Sequence, residues 1–148
     1  MNAPDKHSAI DYLMAGHSCA QSVIMAYCKE FGIPVQTAAR LATGFAGGLA
    51  QGKTCGAVTG AIMVAGLKFG SGKAWDRYAN DCCALVTQEF CHRFKIRHTT
   101  TECHKILRMN RVNPGDPEQI KTLRASGLCR KIVGDAQDIL GELLAKAP

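Results

Sequence analysis

Helix caps and helix stops punctuate this chain at short intervals, a rhythm that leaves room for little except a bundle of short helices. Ser8 can cap a first helix that ends at Gly16, and Ser18 with Gln21 forms a capping box for a second. Ala20, Val23, Ile24, Tyr27 and Phe31 then repeat at helical spacing until Gly32 stops them. Pro34 suits the first turn of a third helix through Val35, Ala38, Ala39 and Leu41. Thr54 is placed to cap the next, whose stripe is Cys55, Val58, Ile62, Ala65 and Phe69, with Gly70 as the stop. A longer helix is expected from Ala74 to about Lys95, and Thr100 or Thr101 is placed to cap Cys103, Ile106 and Leu107.

Asn113-Pro114-Gly115 reads as a turn, and Asp116-Pro117 starts a helix ending near Ser126-Gly127. The last helix carries Cys129, Ile132, Val133, Ala136, Leu140 and Leu143. Nothing alternates in the manner of a strand. The expected fold is all-α, a single-domain helical bundle of about six to eight helices over residues 1–148, without repeat or linker.

A chain of 148 residues buries roughly two-thirds of its unfolded surface, so its eight cysteines are not needed as staples. The first residues, MNAPDKHSAIDYLMAG, lack a basic run followed by an apolar one, so no secretory signal is expected. The longest apolar run, Ala57 to Leu67, is too short to cross a bilayer. A cytoplasmic protein without membrane insertion is the expectation, and there cysteines are more often metal ligands or redox thiols than bridges. The formal charge of +6 owes much to Arg93, Lys95, Arg97, Lys105, Arg108 and Arg111. With no aromatic interleaving and no nucleic-acid motif, these read as a solvated face, and no nucleic-acid partner is expected.

Four of the cysteines fall at a distinctive place. Cys19, Cys55, Cys103 and Cys129 each open an expected helix. There the macrodipole should lower a thiol's pKa and favour the thiolate, the form that binds metals and attacks disulfides. Cys55, Cys103 and Cys129 share the apolar stripes of their helices and Cys19 flanks its own, so all four should point inward. Inward thiolates are charged and partly desolvated, which demands a counter-charge such as a metal or cluster. Cys28, nine residues beyond Cys19, lies about half a turn away round the helix, and it reads as core packing. Cys82, Cys83 and Cys91 sit mid-helix and read the same way, although Cys83 and Cys91 could share a broad face.

Glycines crowd the approach to Cys55. Gly47 to Thr54, GGLAQGKT, fits the phosphate-binding pattern G-x-x-x-x-G-K-[ST] letter for letter. The pattern works only between a buried strand and a helix, and residues 37–46 are alanine-rich and helical, so nucleotide binding is not inferred. Gly47, Gly48, Gly52 and Gly56 are instead candidates to bring backbone N–H groups close to thiolate or cluster sulfurs. His17 and His104, beside Cys19 and Cys103, are candidate ligands or supporting donors; His92 and His98 lack metal spacing. No CxxCH, HExxH, nucleophile elbow or carboxylate pair occurs, so no catalytic residue is assigned.

Laid out in order, Cys19, the glycine loop, Cys55-Gly-Ala-Val-Thr-Gly60, Cys103 and Cys129 resemble the redox-active family named for its C-GCAxxG-C-C pattern. The resemblance runs from about Ser18 to Leu140, and its most specific part is TGFAGGLAQGKTCGAVTGAIMVAGLKFG, Thr43 to Gly70. It implies a small helical bacterial protein with four defining cysteines, here Cys19, Cys55, Cys103 and Cys129. A similar domain accompanies an iron–sulfur centre in split-Soret cytochromes, whose haem-binding part has no counterpart here. The leading expectation is therefore an iron–sulfur cluster on those four cysteines, serving electron transfer or redox sensing with an unidentified redox partner. A metal-free thiol–disulfide protein and a structural zinc domain are the alternatives, and a homodimer is possible.

Overall fold

The computed structural model describes residues 8–146; residues 1–7, part of the stretch read as leaderless, and 147–148 lie outside the described residues. Among the described residues the chain forms eight α-helices and no strand. They are α1 (Ala9–Met14), α2 (Cys19–Tyr27), α3 (Val35–Ala42), α4 (Gly56–Phe69), α5 (Arg77–His98), α6 (Cys103–Met109), α7 (Pro117–Ser126) and α8 (Leu128–Ala145). The expected all-α bundle is what forms. No helix among the described residues is long and apolar enough to cross a membrane.

Helix α4 is the central post, packed on α2, α5 and α8. Its small residues explain how closely α2 approaches. A Cβ added at Gly56 would lie 2.9 Å from the Ala20 backbone nitrogen, and one at Gly60 would lie 2.7 Å from the Ala20 carbonyl oxygen. Nothing larger than glycine fits between those two backbones without moving one of them. Around this contact Val23 of α2, Val58 and Val64 of α4, Phe90 and Phe94 of α5, and Leu140 of α8 are fully buried. One continuous apolar core results.

Both serine caps form as the sequence indicates. The Ser8 and Ser18 hydroxyls accept from the backbone N–H groups of Asp11 and Gln21, whose side chains accept in return from the cap N–H groups. Elsewhere the ends shift. α2 closes at Tyr27 and continues as a 3-10 turn over Cys28–Phe31, and Gly32 takes the left-handed stop at φ 72°. Pro34 is the cap of α3 rather than part of its first turn. α5 starts at Arg77, not Ala74, because the Asp76 carboxylate caps it by accepting from the Ala79 N–H, and it runs on to His98.

Two expected threonine caps are not used. Thr54 pairs across to Glu102 in an isolated antiparallel bridge, leaving Cys55 as the cap residue of α4. Glu102 takes the cap position of α6, and the Thr100 hydroxyl accepts from its N–H at 3.1 Å.

Of the four cysteines read as core, Cys28 is fully buried and Cys91 packs half-buried against the core. Cys82 and Cys83 correct that reading: both are only half-buried and stand outside the core, and Cys83 lines an open groove beside Gly66 and Gly70. The basic stretch is partly neutralised in place. Arg93 pairs with Glu89 at 2.7 Å and Glu142 at 3.1 Å, and Lys105 pairs with Glu102 at 3.2 Å.

Candidate thiol site

Each of the four cysteines stands in or at the first turn of a helix. Cys19 is the first residue of α2, Cys55 the cap of α4, Cys103 the first residue of α6 and Cys129 the second of α8. Helices α2, α4 and α8 pack together, and α6 is tied to α4 by the loop before it. All four cysteines consequently line one enclosed cavity of about 40 Å³, walled by Ile106, Leu107 and Ile132. A larger cavity of about 270 Å³ adjoins it and shares Cys19, Cys103 and Cys129 with it, adding His104 and Leu123. Cys28, Cys82, Cys83 and Cys91 line neither.

The glycine loop has an unusual backbone. Gly47 and Gly48 both have φ 65°, followed by Leu49 at 62° and Ala50 at 55°, and Gly52 at 69°. Four successive left-handed residues make a tight reversal, closed by the Lys53 N–H donating to the Gly48 carbonyl at 2.9 Å. For Leu49 and Ala50 this conformation costs about 1 kcal/mol or more each, the kind of strain that collects at functional loops. A three-layer sandwich with a buried strand, which a phosphate-binding loop needs, is not what surrounds it; Thr54 sits in the bridge to Glu102.

The candidate glycines divide by position. Gly47 and Gly56 line the thiol cavity. Gly48 and Gly52 allow close approach instead: a Cβ on Gly48 would lie 2.9 Å from Cys103 Cβ, and one on Gly52 would overlap the His104 ring. His104 is thereby seated against the loop and on the larger cavity. His17 packs edge-on to Tyr12 with ring centroids 6.0 Å apart and lines neither cavity. The apolar wall of Ile106, Leu107 and Ile132 was legible as helix stripes, although nothing in the pattern said that the stripes would meet around thiols.

The electrostatics correct one expectation. The helix ends were expected to lower the thiol pKa values, and for Cys19, Cys55 and Cys103 the opposite holds. Burial pushes Cys55 up to about 12, although the Ala57 and Val58 amides of its own first turn pull the other way. Those amides face the sulfur without closing a cap hydrogen bond. A hydrogen bond shared with Cys129, together with burial, holds Cys19 well above the usual thiol range. Burial raises Cys103 as well. Desolvation thus outweighs the dipole, whose effect is about 1 kcal/mol at a helix end. No lysine or arginine lines either cavity, so the site offers thiolates no cation of its own.

The cavity therefore holds neutral thiols by itself and can hold thiolates only around a cationic guest. As placed, no group of three or more His, Cys, Asp or Glu side chains among the described residues is spaced for one metal ion. No curated protein and no solved structure matches the chain. A profile described as "Putative redox-active protein (C_GCAxxG_C_C)" matches residues 17–143, and the chain belongs to that family.

Proposed function

We propose that this redox-family protein holds an iron–sulfur cluster on Cys19, Cys55, Cys103 and Cys129 and uses it for electron transfer or redox sensing. The observation that carries the reading is the meeting of four cysteines, drawn from four helix starts, around one small cavity without lysine or arginine. Thiolates there need positive charge from a guest, and a cluster's irons would supply it along with a reversible one-electron couple. The chain's own part is to present four sulfurs, exclude water with Ile106, Leu107 and Ile132, and aim the α4 start at Cys55.

A single tetrahedral zinc with Zn–S near 2.3 Å would require sulfurs roughly 3.8 Å apart. Single-ion spacing is not present among the described residues, so zinc would have to draw the thiols together, and the adjoining cavity, lined by Cys19, Cys103 and Cys129, is the room on the open side of the site. The test is the metal and acid-labile sulfide content of anaerobically purified protein, before and after reconstitution. Iron with sulfide supports the reading, stoichiometric zinc alone supports the structural alternative, and neither rejects both.

One observation favours a second reading. Cys19 and Cys129 line the same small cavity and interact with each other, so an oxidant that takes two electrons and two protons from the pair would leave a bridge. Their burial opposes it, because a raised pKa leaves little attacking thiolate at neutral pH. Mass spectrometry after alkylation under native conditions decides: a reversible Cys19–Cys129 bridge in iron-free protein is its signature.

A further inference from the structure

Helix α5 is the longest element, 22 residues or about 33 Å, and it buries only one side. Ala79, Val86, Phe90 and Phe94 face the core. A flank about 100° round the helix from that side carries large apolar groups that nothing among the described residues covers: Tyr78 is 76 % exposed, Leu85 65 % and Ile96 72 %, with Trp75 96 % exposed just before the helix. Tyr78, Cys82, Leu85, Glu89, His92 and Ile96 are separated by alternating steps of four and three, the spacing of a helix–helix seam. Exposed apolar residues scattered singly need no explanation, but three at seam spacing along one helix do.

The charge along the same helix selects the occupant. Residues 76–87 carry Asp76 and Asp81 against Arg77, whereas residues 88–98 carry Arg93, Lys95 and Arg97 against Glu89. Arg93 and Arg97 already pair within the chain with Glu89, Glu142 and Asp135, so the contrast a partner meets is the exposed Asp81 toward the start of the helix against the exposed Lys95 toward its end. A second copy laid antiparallel matches acidic half to basic half on both sides and opposes the two macrodipoles. Asp81, Gln88 and Lys95 are exposed and seven residues apart, on one flank of the seam. A two-fold axis near Gln88 then sets Asp81 beside Lys95 of the second copy, twice, and Tyr78 beside its Ile96.

We propose that the chain forms a two-fold antiparallel dimer through the exposed face of α5. Sedimentation equilibrium of the anaerobically purified full chain tests it, with circular dichroism melting as the control for folding. Leu85→Asp should weaken association roughly a hundredfold or more without lowering the melting temperature, since Leu85 is exposed in the single chain. Asp81→Lys should weaken it about tenfold, because two attractive pairs become repulsive, and Asp81→Lys with Lys95→Asp should restore it. The charge exchange separates this arrangement from association through another face. A wild type that stays monomeric at millimolar concentration leaves the face to a different protein or to solvent, and overturns the proposal. So does a dimer that Leu85→Asp leaves intact, or one that Asp81→Lys does not weaken.

Discussion

Cys55 and Cys103 are held by the same rung of backbone. The Cys55 N–H donates to the Thr101 carbonyl at 2.7 Å, and the Cys103 N–H donates to the Lys53 carbonyl at 2.6 Å, on either side of the Thr54–Glu102 bridge. Two residues separated by nearly fifty positions thus start their helices from one pinned point. The glycine loop that leads into it and the turn that leads into α6 are parts of one device.

Gly48 is packed against that rung, where a Cβ would lie 2.6 Å from the Lys53 nitrogen and 2.9 Å from Cys103 Cβ. Gly48→Ala must therefore displace one of them, and it also strains φ 65°. We expect a loss of about 2 kcal/mol in urea denaturation and reduced iron loading. Gly72→Ala, where a Cβ meets open space, should change neither.

Ala50 holds φ 55° without the freedom of glycine. Ala50→Gly should raise stability by about 0.5–1 kcal/mol, measured by the same denaturation. If the strain in this loop helps shape the thiol cavity, iron loading should fall while stability rises.

The buried thiols give the metal-free protein a distinct alkaline limit. Cys55 is held at about 12 against 9.0 for an ordinary thiol, so its protonated form is favoured by folding. Folding then loses stability as pH rises from about 9 toward 12, by up to about 4 kcal/mol from this residue. Thermal melting of iron-free protein across that range should show the decline, and Cys55→Ala should reduce it, leaving the part that Cys19 and Cys103 contribute.

Asp135 joins the end of α5 to α8 by taking Arg97 at 3.3 Å and His98 at 2.9 Å, with Lys131 at 3.8 Å. Burial lowers the His98 pKa and Asp135 opposes that shift. Asp135→Asn should cost about 1–3 kcal/mol, because the Asp135 and His98 side chains are only 19 % and 7 % exposed. The His98 midpoint, followed by NMR, should move further down.

Much of this was readable from local chemistry. Ser8, Ser18 and Gly32 do what their residue types dictate, because capping is decided within one turn. The cap of α4 was not readable, because Thr54 is drawn into a bridge with Glu102, a partner remote in the chain. The helix-start position of Cys19, Cys55, Cys103 and Cys129 followed from periodicity, but the direction of the pKa shifts of Cys19, Cys55 and Cys103 did not. A dipole is a local property, whereas burial depends on how Ile106, Leu107 and Ile132 close around the sulfurs. Cys82 and Cys83 misled for the same reason: α5 has one packed side, and their place on its edge is set by neighbours. Asp135 drew no attention, since its closer partners, Arg97 and His98, come from another helix.

The central claim is that Cys19, Cys55, Cys103 and Cys129 act together as one cluster site. Iron and acid-labile sulfide should be measured in anaerobic protein carrying Cys→Ser at each of these positions, with Cys28→Ser and Cys82→Ser as comparisons. The account predicts iron and sulfide together in the parent chain, their loss in each of the four variants and their retention in the other two. A parent chain that takes up no iron on reconstitution, or four variants that keep full loading, would contradict it.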